Sequence, residues 1–388
     1  MDPRQAPRIA EELRARIPQI APAEACALAG NGATLLDVRD ADELGAGMAE
    51  GATHLSRGWL EAKAEAQLPD KERPLLVYCM TGWRSLFAAD ALQRLGYRDV
   101  RSIAGGFTAW IRAGLPVASP HGGLGAGERR RYARHLVIPE VGETGQRRLK
   151  EGRVLLVGAG GLGSPAAIYL ACAGVGTLGI LDDDVVDESN LQRQILHTTP
   201  RIGQRKVDSA RRTVEELNPL VKVETFAERL TANNADDYVP RFDVVVDGAD
   251  NFPTRYLVND ACVKHEKPNV HGSVFRFDGQ ATVFWPGKGP CYRCLYPEPP
   301  PPSLAPSCAE AGVLGVLPGV VGLLQAVETI KILLGQGDTL VGRLLLYDAL
   351  GARFRELKVA PDPRCRVCGE GVPFPGYVDY EGFCAGAR

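Results

Sequence analysis

The chain has 388 residues, enough for two or more domains with cores of their own, and its 24% charged and 45% hydrophobic residues are those of a globular protein. A formal net charge of −2 leaves no basic footprint for nucleic acid, and the charged opening stretch MDPRQAPRIAEELRARIPQI lacks the apolar core of a signal peptide. The longest apolar stretch, residues 313–324, is interrupted by Pro318 and glycines and is too short to span a bilayer, so no membrane contact and a cytoplasmic location are expected.

Along the chain, apolar runs at 34–38 and 74–79, rich in Leu and Val and bounded by turn residues, predict buried strands. Leu86, Ala89, Leu92 and Leu95 predict a helix over 84–95 that stops at Gly96. A strand over 100–103 and a helix over 106–113 come next. This alternation predicts a small parallel α/β domain over 21–117. Residues 118–127, ASPHGGLGAG, have no periodic pattern and predict a linker. The second domain, 128–388, opens on a basic helix, ERRRYARHLV. Strands over 153–157, 177–181, 222–226 and 244–247 alternate with helices over 164–173, 206–217 and 254–265. That order predicts a doubly wound, Rossmann-like α/β sheet. Hairpin strands over 272–277 and 280–284, a Pro-rich loop over 297–306 and a long helix over 320–334 complete the pattern.

Gly158, Gly160 and Gly163 form GxGxxG between a strand and a helix, where backbone N–H groups and the helix N-terminus meet phosphate. By itself the turn fits NAD or FAD equally well. The segment LDDDVVDESNLQRQ at 181–194 favours a nucleoside triphosphate instead. Asp182 ends the next strand where an acid meets a ribose, and Arg193 and Lys206 add cations that suit polyphosphate and departing pyrophosphate. Asp247 and Asp250, in VDGADN, end a further strand, and a carboxylate there suits magnesium between phosphates.

Ten cysteines in a reducing compartment are read for metal or thiol chemistry. Cys291/Cys294 and Cys365/Cys368 form two CxxC pairs, which predict a closed, structural tetrathiolate zinc site, with a pair of redox motifs as the alternative. Arg293, Arg364 and Arg366 are placed to offset its negative charge, and the metal is expected to pin 364–369 to the chain after the loop 285–290. Cys172 and Cys262 fit apolar helical patterns and are expected in the core. Cys79, in CMTGWRS before a helix, is expected to favour a thiolate or persulfide, helped by loop N–H groups, the helix N-terminus and Arg84. Cys308, in APSCAEAGVLGVLPG, is a candidate loop nucleophile. Cys26 and Cys384 have no assignment.

GAGGLG, LDDDVVDESNLQRQ, GQRK and DGADN, in that order, resemble the adenylation domain of ubiquitin-activating-type enzymes over about 128–358, and the zinc knuckles agree. Within that family the chain is most similar to molybdopterin-synthase and thiazole-biosynthesis adenylyltransferases. The resemblance implies that Gly158, Gly160, Gly161 and Gly163 face ATP. It extends the site to Asp182, Ser189, Asn190, Leu191, Gln192 and Arg193, then to Lys206, Asp250 and Asn251, with Asp250 on Mg2+. RYAR at 131–134 matches too, and implies a homodimer in which Arg134 reaches the partner's ATP site. DVRD at 37–40, Cys79 and IAGGFTAW at 103–110 resemble a rhodanese domain over 21–116, with Cys79 carrying a sulfane sulfur. In fused proteins of this type the rhodanese module usually comes after the adenylation domain; here it precedes it.

The resemblances imply adenylation of the C-terminal glycine of a ubiquitin-like sulfur carrier and sulfur transfer to give a thiocarboxylate. Cys308 would resolve an acyl disulfide or hold a thioester. The expected partners are a carrier similar to the molybdopterin-synthase small subunit or the thiamin sulfur carrier, and a sulfur donor such as a cysteine desulfurase or thiosulfate. Molybdopterin, thiamin and tRNA thiolation use similar activators, and the residues do not discriminate among them. The alternatives are an NAD(P)-dependent oxidoreductase with a fused thiol domain and a non-catalytic zinc scaffold for a carrier.

Overall fold

The computed structural model describes residues 5–118, 124–300 and 312–385, and the chain forms two units, Met1–Ala133 and Arg134–Arg388. The division falls inside the expected basic helix. That segment forms two short helices, Ala126–Arg131 and Ala133–Leu136, separated at Tyr132, whose side chain is buried.

In the first unit, β1 (Gln19–Ile20), β2 (Thr34–Asp37), β4 (Thr53–His54), β5 (Leu75–Tyr78) and β6 (Val100–Ile103) make a parallel sheet ordered β1-β6-β5-β2-β4. β3 (Met48–Ala49) and β7 (Val117–Ala118) pair separately and antiparallel. Successive strand residues face opposite sides. Leu36, Leu75 and Val77 therefore enter one core with Leu86 and Leu92, and Leu35, Leu76 and Tyr78 enter the other with Phe107 and Trp110. The helix Gln5–Arg16 was not expected. Its charge conceals a narrow stripe, Ala10 and Leu13 with Ile17 just beyond, that is buried in the structure.

The second unit holds β8 (Arg153–Val157), β9 (Thr177–Leu181), β10 (Lys222–Phe226), β11 (Val244–Asp247), β12 (Asn269–Phe275), β13 (Asp278–Phe284), β14 (Arg343–Asp348) and β15 (Arg353–Lys358). The sheet order is β10-β9-β8-β11-β12-β13-β14-β15; pairing is parallel from β10 to β12 and antiparallel beyond. The chain runs outward from β8 to β10, then returns to place β11 on the other side of β8. A crevice opens at the carboxyl ends of β8 and β11, where such folds bind ligands.

The sheet extends two strands beyond the expected hairpin, because β15 pairs through its backbone while all its residues stay exposed. The helix Gly142–Glu151 also lay below the sequence signal, since it buries only Gly145, Gln146 and Leu149. The long helix begins four residues before the expected start, at Val316, with Pro318 in its first turn, where no intrahelical N–H is needed. Val316–Leu334 is long and apolar enough by composition to cross a membrane. Here it packs on β12, β13 and the helix Gly163–Ala173, and it buries Gln325 and Glu328 in hydrogen bonds, so it serves as a core helix.

Candidate functional site

A cavity at the β8 and β11 ends is built on close backbone contacts that exclude side chains. Gly158 has φ of +99°, and a Cβ there would lie 3.1 Å from the Gly248 carbonyl oxygen. A Cβ on Gly163 would lie 2.0 Å from the Gly158 oxygen, so the third glycine closes the turn from inside and does not face the cavity. Gly158, Gly160 and Gly161 do line it, with Asp182, Arg193, Lys206, Asp250 and Asn251.

Asp182 accepts from the Ala159 N–H at 2.8 Å and the Asp184 N–H at 2.9 Å, which fixes the glycine turn to the end of β9. Burial raises its carboxyl above the ordinary range, opposed by Lys206 and those two amides. Lys206 is buried, and its Nζ donates to Asp184 at 2.8 Å. The Arg193 guanidinium donates to the Ser189 carbonyl at 3.0 Å, and among the described residues no carboxylate pairs with it. An arginine with no carboxylate partner, beside a lysine, suits an anionic group such as phosphate.

Ser189, Asn190, Leu191 and Gln192 form the turn behind Arg193 and do not line the cavity. The Ser189 hydroxyl donates to Asp187 at 2.5 Å, and Asn190 accepts from the Asp187 N–H at 3.3 Å. Gln192 packs against Gly315. Asn251 caps the helix Phe252–Lys264 by accepting from the Thr254 N–H at 2.9 Å. Asp250, exposed at the cavity edge, has a carboxylate suited to a hard divalent cation. Asp247 is not available for one. It is buried, bonds His271 Nδ1 at 2.7 Å and accepts from the Ala249 N–H, so it shapes the turn that carries Asp250. Arg134 is exposed and does not line this cavity. Cys308 lies outside the described residues.

The four knuckle cysteines converge. Sγ separations are 3.7 Å for Cys291–Cys365, 3.9 Å for Cys291–Cys294 and 3.4 Å for Cys294–Cys368. Tetrahedral zinc with bonds of about 2.3 Å needs about 3.8 Å between sulfurs, so the cluster fits that ion. Arg293 does not serve the thiolates as expected. It is buried and forms a two-point ion pair with Asp260 at 2.8 Å, which also accepts from the Tyr380 hydroxyl. Arg366 stacks over Phe383, and Arg364 is exposed. Cys262 is buried as expected, whereas Cys172 is exposed on the outer side of its helix, whose inner side holds Ala167, Leu170 and Ala171.

In the first unit Cys79 is 1% exposed, at the end of β5. Its carbonyl accepts from the Phe107 N–H, and the Met80 carbonyl from the Thr108 N–H, which lashes the loop to the helix Gly106–Arg112. Among the described residues, the N–H groups of Thr81, Gly82 and Trp83 have no protein acceptor, leaving donors for an anionic sulfur. Arg84 is not aimed at Cys79 alone, because its guanidinium pairs with Glu43 at 2.6 Å and with Asp40 at 3.1 Å.

Residues 132–367 match the ThiF family model, and residues 21–113 match that of the rhodanese-like domain. The chain belongs to the ThiF family. Its relatives include the sulfur carrier protein adenylyltransferase of Thermus thermophilus, 54% identical over 66% of this chain and 96% of that protein. The probable adenylyltransferase/sulfurtransferase MoeZ of Mycobacterium tuberculosis is 51% identical over 69% of this chain and 68% of its own length. Among solved structures, E. coli MccB with ATP superposes with a TM-score of 0.52 at 25% identity, covering 58% of this chain and 69% of that one.

In this ThiF-family cavity two basic lining residues, Arg229 and Arg255, escaped sequence reasoning. Arg229 enters from the segment after β10. Arg255, one turn into the helix after DGADN, donates to the Ala249 carbonyl at 3.1 Å. Position after a recognisable motif was the one signal available for Arg255. Gln194, which the sequence offers in the same loop as Asn190 and Arg193, stands beside Arg193 in the wall.

Proposed function

We propose that this chain adenylates the C-terminal glycine of a small ubiquitin-like sulfur carrier and then delivers sulfur to it from Cys79. The observation that carries the reading is the conjunction, in one ThiF-family chain, of an unpaired Arg193 in the glycine-turn cavity with a buried Cys79 under free loop amides.

The carrier carboxylate oxygen attacks the α-phosphorus of ATP, and the bond from that phosphorus to the pyrophosphate oxygen breaks. Arg193 and Lys206 hold the phosphates and take up the charge that develops on the leaving group, while Asp182 meets the ribose. Magnesium bound at Asp250 would neutralise phosphate charge, and zinc at the four cysteines would be structural. In a homodimer the partner copy supplies Arg134 to the same site. The acyl adenylate is attacked by the terminal sulfur of a Cys79 persulfide, releasing AMP and leaving an acyl disulfide. A thiol, with Cys308 the candidate, attacks the Cys79 sulfur; the thiocarboxylate leaves and a protein disulfide remains for an external thiol to reduce. The persulfide comes from thiosulfate or a cysteine desulfurase, in the cytoplasm.

The test is mass spectrometry of a carrier ending in two glycines, incubated with the protein, MgATP and thiosulfate. The reading expects one terminal oxygen replaced by sulfur, dependent on ATP. An unchanged carrier, with ATP intact, would contradict it.

A further inference from the structure

Cys79 sits too deep for a sulfur donor to enter whole. It is 1% exposed, and its Sγ lies 3.9 Å from the Ser85 hydroxyl, in the first turn of the helix Arg84–Arg94. The free loop amides can receive one anionic sulfur, the atom to be transferred. The remainder of the donor stays outside, beside Arg84, whose side chain is 33% exposed. The groups around Arg84 therefore select among donors by the charge on that remainder.

Arg84 is already paired. Its guanidinium donates to both Glu43 oxygens, through Nη2 at 2.6 Å, and to Asp40 at 3.1 Å. The hydrogen bond from Arg84 holds the Glu43 carboxyl below its ordinary range, so both partners stay charged near neutral pH. Glu43 is fixed from behind as well, since it accepts from the Asp40 N–H at 3.0 Å. Arg39, at the end of β2, is buried against Asp37 at 2.6 Å, so its charge is answered too. One guanidinium between two carboxylates leaves this part of the rim net negative. Trp83, between the free amides and Arg84, adds a ring that is 38% exposed.

We propose that Glu43 and Asp40 are specificity residues of the sulfur-loading step, which set the rim against a dianionic donor such as thiosulfate and leave it open to an organic persulfide. It rests on the reading of Cys79 as the sulfur-bearing residue. In a persulfide of a neutral thiol, the one negative charge lies on the sulfur that enters. The Cys79 thiolate attacks that outer sulfur, the donor's S–S bond breaks, and its electron pair leaves with the donor's thiolate. With thiosulfate the same exchange releases sulfite, and two charges must approach and depart past the carboxylates. Thiosulfate remains a working donor at high concentration. The discrimination comes from a repulsive element, not from a missing contact.

The test is thiocyanate formation by the full chain, with cyanide as sulfur acceptor and either thiosulfate or the persulfide of 2-mercaptoethanol as donor. Glu43→Gln keeps the shape and the contacts to Arg84 and Asp40 while removing the charge. It is expected to lower the KM for thiosulfate about tenfold at unchanged kcat, and to leave the KM for the persulfide within about twofold. Asp40→Asn should shift the thiosulfate KM in the same direction, and it carries the test alone if the first variant does not fold. A thiosulfate KM that stays at the wild-type value, or that falls equally for both donors, would overturn the proposal. No thiocyanate from either donor with the wild type would instead sink the reading of Cys79 itself. A further arm supplies a cysteine desulfurase and cysteine. Loading at a lower KM than with mercaptoethanol persulfide would name a protein persulfide as the source, and a higher KM a small thiol.

Discussion

His197 grips the glycine turn from behind: its Nε2 lies 3.1 Å from the Ala159 carbonyl, and its Nδ1 lies 3.0 Å from the Ser209 hydroxyl. The first contact puts a proton on Nε2, and in the neutral ring that burial favours Nδ1 accepts from the Ser209 hydroxyl. Burial depresses its pKa from 6.5 to about 4. Between those values the unfolded chain binds a proton that the native state refuses, so this contribution is complete above pH 6.5 and is lost as pH falls toward 4. Across that window it amounts to roughly 2–3 kcal/mol. Urea unfolding from pH 7 to pH 4 should show a steeper loss for the wild type than for His197→Gln, which keeps a donor toward Ala159. Equal slopes would contradict the assignment. Cys79 makes the other residue-scale prediction: Cys79→Ala should leave pyrophosphate exchange intact and abolish sulfur transfer from thiosulfate. Transfer that survives would remove Cys79 from the scheme.

At the scale of elements, the strands β8, β9, β10 and β11 were legible to the residue: β8, β9 and β11 are short buried runs rich in Val, Leu and Ile and bounded by turn residues, while β10, KVETF, is a partly exposed edge strand. The cavity's glycines and Asp182 were legible for a related reason, since they follow strand ends fixed by that alternation, and Arg193 and Lys206 were legible as cations in the segments that come next, Lys206 at the start of a helix. What was not legible depends on contacts distant in sequence. Asp260, Arg293 and Tyr380 lie on three separate segments, and only folding makes them a buried clamp that ties the knuckle Tyr292–Leu295 to the helices Phe252–Lys264 and Tyr380–Ala385. Arg293 was for that reason expected at the thiolates. Removing one member of such a pair leaves the other charge buried and alone. Asp260→Ala should therefore cost about 3–5 kcal/mol by denaturant unfolding. Chelation of metal from the protein should likewise lower its melting temperature, and an unchanged value would remove the structural role of the knuckle.

At the scale of the whole molecule, the exposed Arg134, absent from its own chain's cavity wall, is assigned by the proposal to the site of a second copy. Arg134→Ala and Lys206→Ala would then damage different halves of each composite site. Mixing the two inactive variants under conditions that exchange subunits should restore about a quarter of the wild-type rate, since half the dimers are mixed and each of those keeps one intact site. No recovery would place Arg134 outside the chemistry. The exchange, transfer and complementation outcomes depend on the cavity performing acyl adenylation. The most direct test is exchange of labelled pyrophosphate into ATP with and without a sulfur carrier ending in two glycines. The account predicts exchange that requires the carrier and disappears in Lys206→Ala. Absence of exchange, together with tight binding of NADH, would contradict it.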